Sequence, residues 1–339
     1  METAIEEIKV KSLKDRVIDL IQEDVPDYLN KFVYCMGATP LVLFLVALAT
    51  GILMTFYYIP YPDKAYASVE AITHDIYLGW FIRGLHKLSV NLMIFTLFLH
   101  ALRVFITRAY SAGELKWLIG ALLLFTTLGM GFTGYALVYD QVSYWGMTVV
   151  MNMIEEMPVA GPAMAYLLRG GAEVSEITLL RLYDLHTKLL PVLLILCIAA
   201  HIAAIRIIDF AKMKDEKGVH LFYPEHALKV GLVAVGIFVV MVNLVMIFPP
   251  AIGQMANPLE VASNVAPPWY FSAVYKWITI APRQSALFAL LLFSALFVLY
   301  PYIDRFLVQR GFRMERINIV LGTAAVSAFA ALTLWNVLF

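Results

Sequence analysis

Residues 80–108 read WFIRGLHKLSVNLMIFTLFLHALRVFITR, an apolar run broken by His86 and His100. A second run, Leu179 to Phe210, repeats the arrangement with His186 and His201. On an α-helix the 14-residue interval of the first pair leaves the two side chains about 40° apart and roughly 21 Å along the axis. The 15-residue interval of the second leaves them about 60° apart and roughly 22 Å along. Each helix thus presents two imidazoles on approximately one face, near opposite edges of a hydrocarbon core about 30 Å thick. Two such helices, face to face, can clamp two stacked metal macrocycles. Imidazoles at lipid depth are costly and mark function. Packing against a polar neighbour would account for one of them. Four at matched depths read as bis-histidine haem ligation, His86 with His186 and His100 with His201.

The composition fits a chain that lives in lipid. Of 339 residues, 61% are hydrophobic and 15% charged, and the mean hydropathy is +0.78. That excludes a soluble domain and indicates a polytopic membrane protein. Net charge is zero, and no basic surplus points to nucleic acid. Two cysteines, Cys35 and Cys197, cannot build a disulfide framework, and no CxxCH offers ordinary c-type attachment. The stretch from Glu2 to Lys14 is charged and lacks a signal-peptide core. Residues 4–22 carry apolar positions at helical spacing among charges and predict an amphipathic helix at the interface, ended by Pro26.

Apolar runs follow at about 33–58, 79–106, 117–138, 178–208, 228–248, 284–303 and 317–338. The fold expected is an all-α integral membrane protein of seven transmembrane helices. The first four form a haem-binding four-helix bundle. Three domains follow from this: 1–32, 33–210 and 211–339. Of the 25 Lys and Arg residues, 17 fall on the N-terminal segment and on the connections after the second, fourth and sixth spans. The opposite connections hold only Lys64, Arg169, Lys276 and Arg283. This bias places the N-terminus on the cytoplasmic side of a bacterial or archaeal membrane. It also sets His86 level with His186, and His100 level with His201.

The first and third spans carry a matching pattern in glycine. Gly37 and Gly51 are 14 apart, as are Gly120 and Gly134. Glycine admits a flat ligand or a close backbone. A packing seam would account for any one of them, but two matched pairs that repeat the histidine interval read as clearance for the haems. Arg83 and Arg181 lie near the outer histidines, Arg103 and Arg206 near the inner ones. Haem propionates would partner such cations, and snorkelling to lipid headgroups is the rival use. The connection 139–177 holds two apolar pieces, Tyr144–Ile154 and Met157–Leu168, that predict short surface helices. The connection before the sixth span carries Asn257-Pro-Leu-Glu260 and then Pro267-Pro268-Trp269-Tyr270, a stiff interfacial turn.

With these residues in view, the chain resembles the cytochrome b subunit of the Rieske/cytochrome b complexes, which are quinol:cytochrome c or plastocyanin oxidoreductases. The two histidine pairs, two glycine pairs, Gly134-Tyr135 and the Pro-x-Trp-Tyr loop fall in family order over about residues 10–338. The 15-residue interval and the seven spans resemble the chloroplast and cyanobacterial type. There the first four and last three helices are separate polypeptides. Here Asp209 to His226 would join them.

The resemblance implies two b haems, a quinol-oxidation site near Trp269, Tyr270 and Asp140, and a quinone-reduction site on the opposite side. It implies a Rieske-type iron–sulfur partner, a c-type cytochrome or similar acceptor, and a homodimeric complex coupling electron flow to proton translocation. It also makes Cys35, in Phe32–Gly37, the counterpart of a cysteine that holds an additional haem. Cys197 reads as an ordinary buried thiol. Two positions depart from the family. Its Pro-Glu-Trp-Tyr is Pro267-Pro268-Trp269-Tyr270 here, and its Pro-Trp is Val138-Tyr139. The usual proton-accepting carboxylate is therefore missing, and Glu260 ranks first to replace it, ahead of Asp140, Glu155 and Glu156. Two other classes stay open: a di-haem anchor without quinol bifurcation, and a proton-relaying transporter.

Overall fold

Among the described residues, seven helices are long and apolar enough to cross a membrane. The computed structural model describes residues 24–26, 37–212, 219–260 and 267–338. In order the helices are α1 (Ala38–Thr55), α2 (Pro62–His74), α3 (Gly79–Ile106), α4 (Glu114–Ala136), α5 (Gln141–Glu155), α6 (Gly161–Arg169) and α7 (Glu176–Asp184). Then come α8 (Leu190–Lys212), α9 (Ala227–Ile247), α10 (Trp269–Ile280), α11 (Arg283–Gln309) and α12 (Met314–Leu338). The fourth span is α7 and α8 joined through a π-helical turn, Leu185–Leu189. The two surface helices expected after the third span are α5 and α6. Helix α2 was not expected. It opens with Pro62 at its first turn, where the missing N–H costs nothing.

Lipid cannot satisfy a polar atom, so the spans satisfy their own. Thr50, Thr96, Thr126 and Asn243 donate to carbonyls four residues back, at 2.7, 2.8, 2.7 and 2.8 Å. Helix α1 packs on α3, and α4 on α8, forming the four-helix bundle. The last three spans lie against it: α9 on α1 and α3, α11 on α4, α12 on α3. At Gly84 of α3 an added Cβ would stand 2.4 Å from Val245 Cγ1 of α9, so only glycine permits that approach.

A buried polar seam joins the two parts. Asp304 of α11 is 2% exposed. It accepts from Arg108 Nε and Nη2 at 3.1 and 2.6 Å and from the Tyr110 hydroxyl at 2.9 Å. Asn318 of α12 donates to Tyr110 Oη at 2.7 Å and to the Phe105 carbonyl at 2.9 Å, and accepts from Tyr300 at 2.7 Å. Every member has a partner, the condition under which a buried ionic group is tolerated.

The expected helix over 4–22 lies outside the described residues. Pro26 sits in a three-residue strand, β1 (Asp24–Pro26), antiparallel to β2 (Val219–Leu221). Besides this short ribbon, the described residues hold one isolated β-bridge, Asp140 with Met255, and otherwise helices and their connections. Helix α8 runs to Lys212 and so crosses the expected domain boundary at 210.

Candidate functional site

The outer histidines meet across the bundle. The His86 and His186 ring centres are 6.4 Å apart and their planes cross at 75°. Two metal–imidazole bonds of about 2 Å each, plus roughly 1.1 Å from ring centre to nitrogen on either side, require about 6.3 Å. The residues fit one metal held between them.

Each outer ring is also oriented from behind. His86 Nδ1 lies 2.9 Å from the Ala47 carbonyl and 3.2 Å from Thr50 Oγ1. His186 Nδ1 lies 3.0 Å from Thr133 Oγ1. Both hydroxyls already donate to their own helix, Thr50 to Val46 at 2.7 Å and Thr133 to Gly129 at 2.9 Å. Their oxygens are therefore left to accept from Nδ1–H, which keeps Nε2 as the free ligand atom.

The inner pair is built differently. His100 and His201 bury Nδ1 without a hydrogen-bond partner. The four glycines stand behind the four histidines, one each. An added Cβ would meet Cε1 of His86 at 3.1 Å from Gly51 and Cε1 of His186 at 2.6 Å from Gly134. At the inner level Gly37 and Gly120 would meet His100 and His201 at 3.5 Å each. An imidazole edge thus borders the space each glycine leaves.

The unequal histidine intervals are reconciled by the π turn. Leu190 N–H bonds to the Leu185 carbonyl, five residues back. Such a turn absorbs one extra residue, so the 15-residue interval behaves as 14. Without it the second pair would be rotated by about 100° relative to the first.

Two of the four arginines bond to backbone carbonyls. Arg83 is buried and donates to Thr73 Oγ1 at 3.0 Å and to the Pro250 and Ala251 carbonyls at 3.2 and 3.1 Å. Arg181 donates to the Leu167 carbonyl. Arg103 and Arg206 are half-buried, on the same helices as His100 and His201.

The Pro-Pro-Trp-Tyr segment is tied to the helix bundle through its two aromatic side chains. Pro268 caps α10, and the Trp269 indole N–H reaches Asn91 Oδ1 of α3 at 2.8 Å. Tyr270 is buried, its hydroxyl 3.3 Å from the Gly131 carbonyl of α4. Burial raises the Tyr270 phenol well above its ordinary pKa and that of Tyr139 to about 12, so both stay neutral. Asp140 caps α5, accepting from Ser143 N–H at 2.9 Å and Gly253 N–H at 3.2 Å. Gln141 donates to the Glu260 carbonyl and accepts from Asn257 N–H, both at 2.6 Å. Asp140 and Glu260 are thus drawn to one corner, Glu260 being exposed.

A sequence profile of the cytochrome b/b6/petB family matches residues 20–209, more than half of the chain. The chain belongs to the cytochrome b family. Cytochrome b6 of Tupiella akineta is 40% identical over 202 residues, 59% of this chain and 92% of that protein. Cytochrome b6 of Mastigocladus laminosus is 40% identical over the same length and the same shares. A solved chain of a hyperthermophilic respiratory complex III superposes with a TM-score of 0.76 over 96% of this chain and 94% of its own, at 24% identity. That likeness of fold continues through the last three spans, beyond the stretch shared with the b6 proteins. As a cytochrome b, the chain is a membrane electron-transfer subunit of a quinol oxidoreductase complex, and its family implies b-type haem.

Cys35 lies outside the described residues, and Cys197 is a free buried thiol. Sequence reading passed over Thr50, Thr133, Asn91 and Gly131. A signal for the threonines was present. Both outer glycines follow threonine, Thr50-Gly51 and Thr133-Gly134, while the inner ones follow Met36 and Ile119. Asn91 and Gly131 leave no pattern that spacing could reveal.

Proposed function

We propose that this cytochrome b holds two b haems, one between His86 and His186 and one between His100 and His201. Through them it links a quinol-oxidation site to a quinone-reduction site across the membrane. The observation that carries this reading is the 6.4 Å separation of the outer imidazoles, with a glycine behind each histidine. Bound haem supplies a one-electron relay. The chain's own residues do the rest: histidine Nε2 atoms ligate, threonine oxygens orient, and buried rings exclude water. Arg83, Arg103, Arg181 and Arg206 are proposed propionate or quinone partners.

Trp269 and Tyr270 wall the quinol-oxidation site. Glu260 takes the quinol proton in place of the missing carboxylate, because both oxygens of Asp140 already accept backbone N–H groups. The electrons pass to a Rieske-type iron–sulfur protein and, across the membrane, to quinone. A c-type cytochrome or similar acceptor and a homodimeric assembly complete the complex. The Lys/Arg bias supports a cytoplasmic N-terminus in an energy-transducing bacterial or archaeal membrane. The domains 1–32, 33–210 and 211–339 are proposed on the same basis as in the sequence.

Quinol added to the purified complex should reduce b-type absorption, and Glu260→Gln should slow that reduction about tenfold or more with haem content unchanged. Haem that dithionite reduces and quinol does not would overturn the reading. We further propose a third haem, joined covalently to Cys35. Peroxidase-active haem should stay with the chain on a denaturing gel and vanish in Cys35→Ala. Complete loss from the wild type refutes it.

A further inference from the structure

We propose that Asn91 is a positioning residue of the quinol-oxidation site, holding Trp269 and with it the Pro267-Pro268 turn. The inference rests on the reading above of Trp269 and Tyr270 as walls of that site. Asn91 lies on α3 between the two histidines, five residues after His86 and nine before His100. Its amide is fixed at both ends. Nδ2 donates to the Lys87 carbonyl at 2.7 Å, which turns Oδ1 toward the Trp269 indole N–H at 2.8 Å.

The surroundings offer the indole no substitute. Phe95 and Phe98 of α3 and Phe329 of α12 stand edge-on to it, with ring centres 6.3, 6.1 and 6.3 Å away. These rings fill the space and carry no oxygen or nitrogen acceptor, offering the N–H at most a weak π contact, so the direction of the indole is set by Asn91. The turn before it has no N–H to donate, because Pro267 and Pro268 are both prolines. Its carbonyls accept from Ser272 Oγ at 3.4 Å and, at Pro268, from Phe271 N–H at 2.8 Å, bonds within α10 that do not tie it to another helix. Two side chains anchor it instead: Trp269 on α3, and Tyr270 on the Gly131 carbonyl of α4. Removing the Asn91 oxygen leaves a half-buried donor unpaired and frees one of the two anchors.

The test compares Asn91→Leu, Trp269→Phe and the double variant in the purified complex. Haem content and haem midpoint potentials should match the wild type in all three. Ultraviolet resonance Raman, with Trp269→Phe identifying the signal among the six tryptophans, should show the indole N–H hydrogen bond lost in Asn91→Leu. Quinol oxidation should fall roughly tenfold in kcat/KM in each single variant, the effect of one partner of this hydrogen bond left without the other. The double variant should fall no further than the worse single one. Unchanged kinetics in Asn91→Leu, an unmoved indole signal, or additive losses would each overturn the proposal. A wild-type complex that oxidises no quinol would overturn the functional reading itself, and the Raman comparison would still report whether Asn91 holds the indole.

Discussion

The two histidine levels share residue types and spacing but not construction. At the outer level each imidazole is braced through Nδ1, and the glycines behind it stand closer, at 3.1 and 2.6 Å. At the inner level no hydroxyl braces Nδ1, the Lys116 carbonyl alone faces His201, and the glycines stand back at 3.5 Å. The protein therefore gives the outer ligands threonine braces that the inner ones lack. Second-shell bonds of this kind raise ligand basicity and lock the ring. The two haems proposed for these levels should accordingly respond differently to the same substitution.

The sharpest way to break that comparison is a methyl group. Gly134→Ala places a Cβ 2.6 Å from His186 Cε1, an overlap that costs about 1–3 kcal/mol. It should deplete the outer haem, measured by difference absorption, while Gly120→Ala leaves the inner haem in place. Equal losses at both levels would mean that the glycines serve only helix packing.

A smaller effect isolates the braces. Thr50→Val with Thr133→Val removes an oxygen at each outer Nδ1 and keeps the shape. Losing about 1 kcal/mol of ligand orientation should move the outer midpoint by roughly 40 mV. The inner midpoint should not move. Potentiometric titration of the two bands decides it.

The smallest effect tests the π turn. Deleting Thr187 should return Leu185–Leu189 to α-helix and keep both haems, because the surplus residue is the one removed. Deleting Ile195 from the regular part of α8 should instead turn His186 against His201 by about 100° and cost a haem.

The spans and the four histidines were legible because lipid forces them into the sequence. A crossing helix needs some 20 apolar residues, and an imidazole inside one stands out. The π turn was not legible. The 14- and 15-residue intervals read as small offsets on one face, yet those offsets run in opposite senses, and only a backbone distortion brings them together. Periodicity carries no mark of where such a distortion falls. The partner of Trp269 was hidden for a related reason: paired prolines before aromatics suggest a stiff interfacial turn, while the indole is held by Asn91, 178 residues away in sequence. Helix α2 was missed because it is too short and mixed to show a span's signature.

The seam around Asp304 has a bearing on how the chain is made. Arg108 precedes Asp304 by 196 residues, so during synthesis the guanidinium is in place long before its carboxylate exists. Arg108 follows the end of α3 and keeps 20% of its side chain exposed, where a waiting cation can stay hydrated. Asp304, with 3% of its side chain exposed, could not wait in that way. It enters second, into a socket where Arg108, Tyr110 and the α3–α4 turn already stand ready. The order of synthesis thus provides both partners of Asp304 before the acid itself is made.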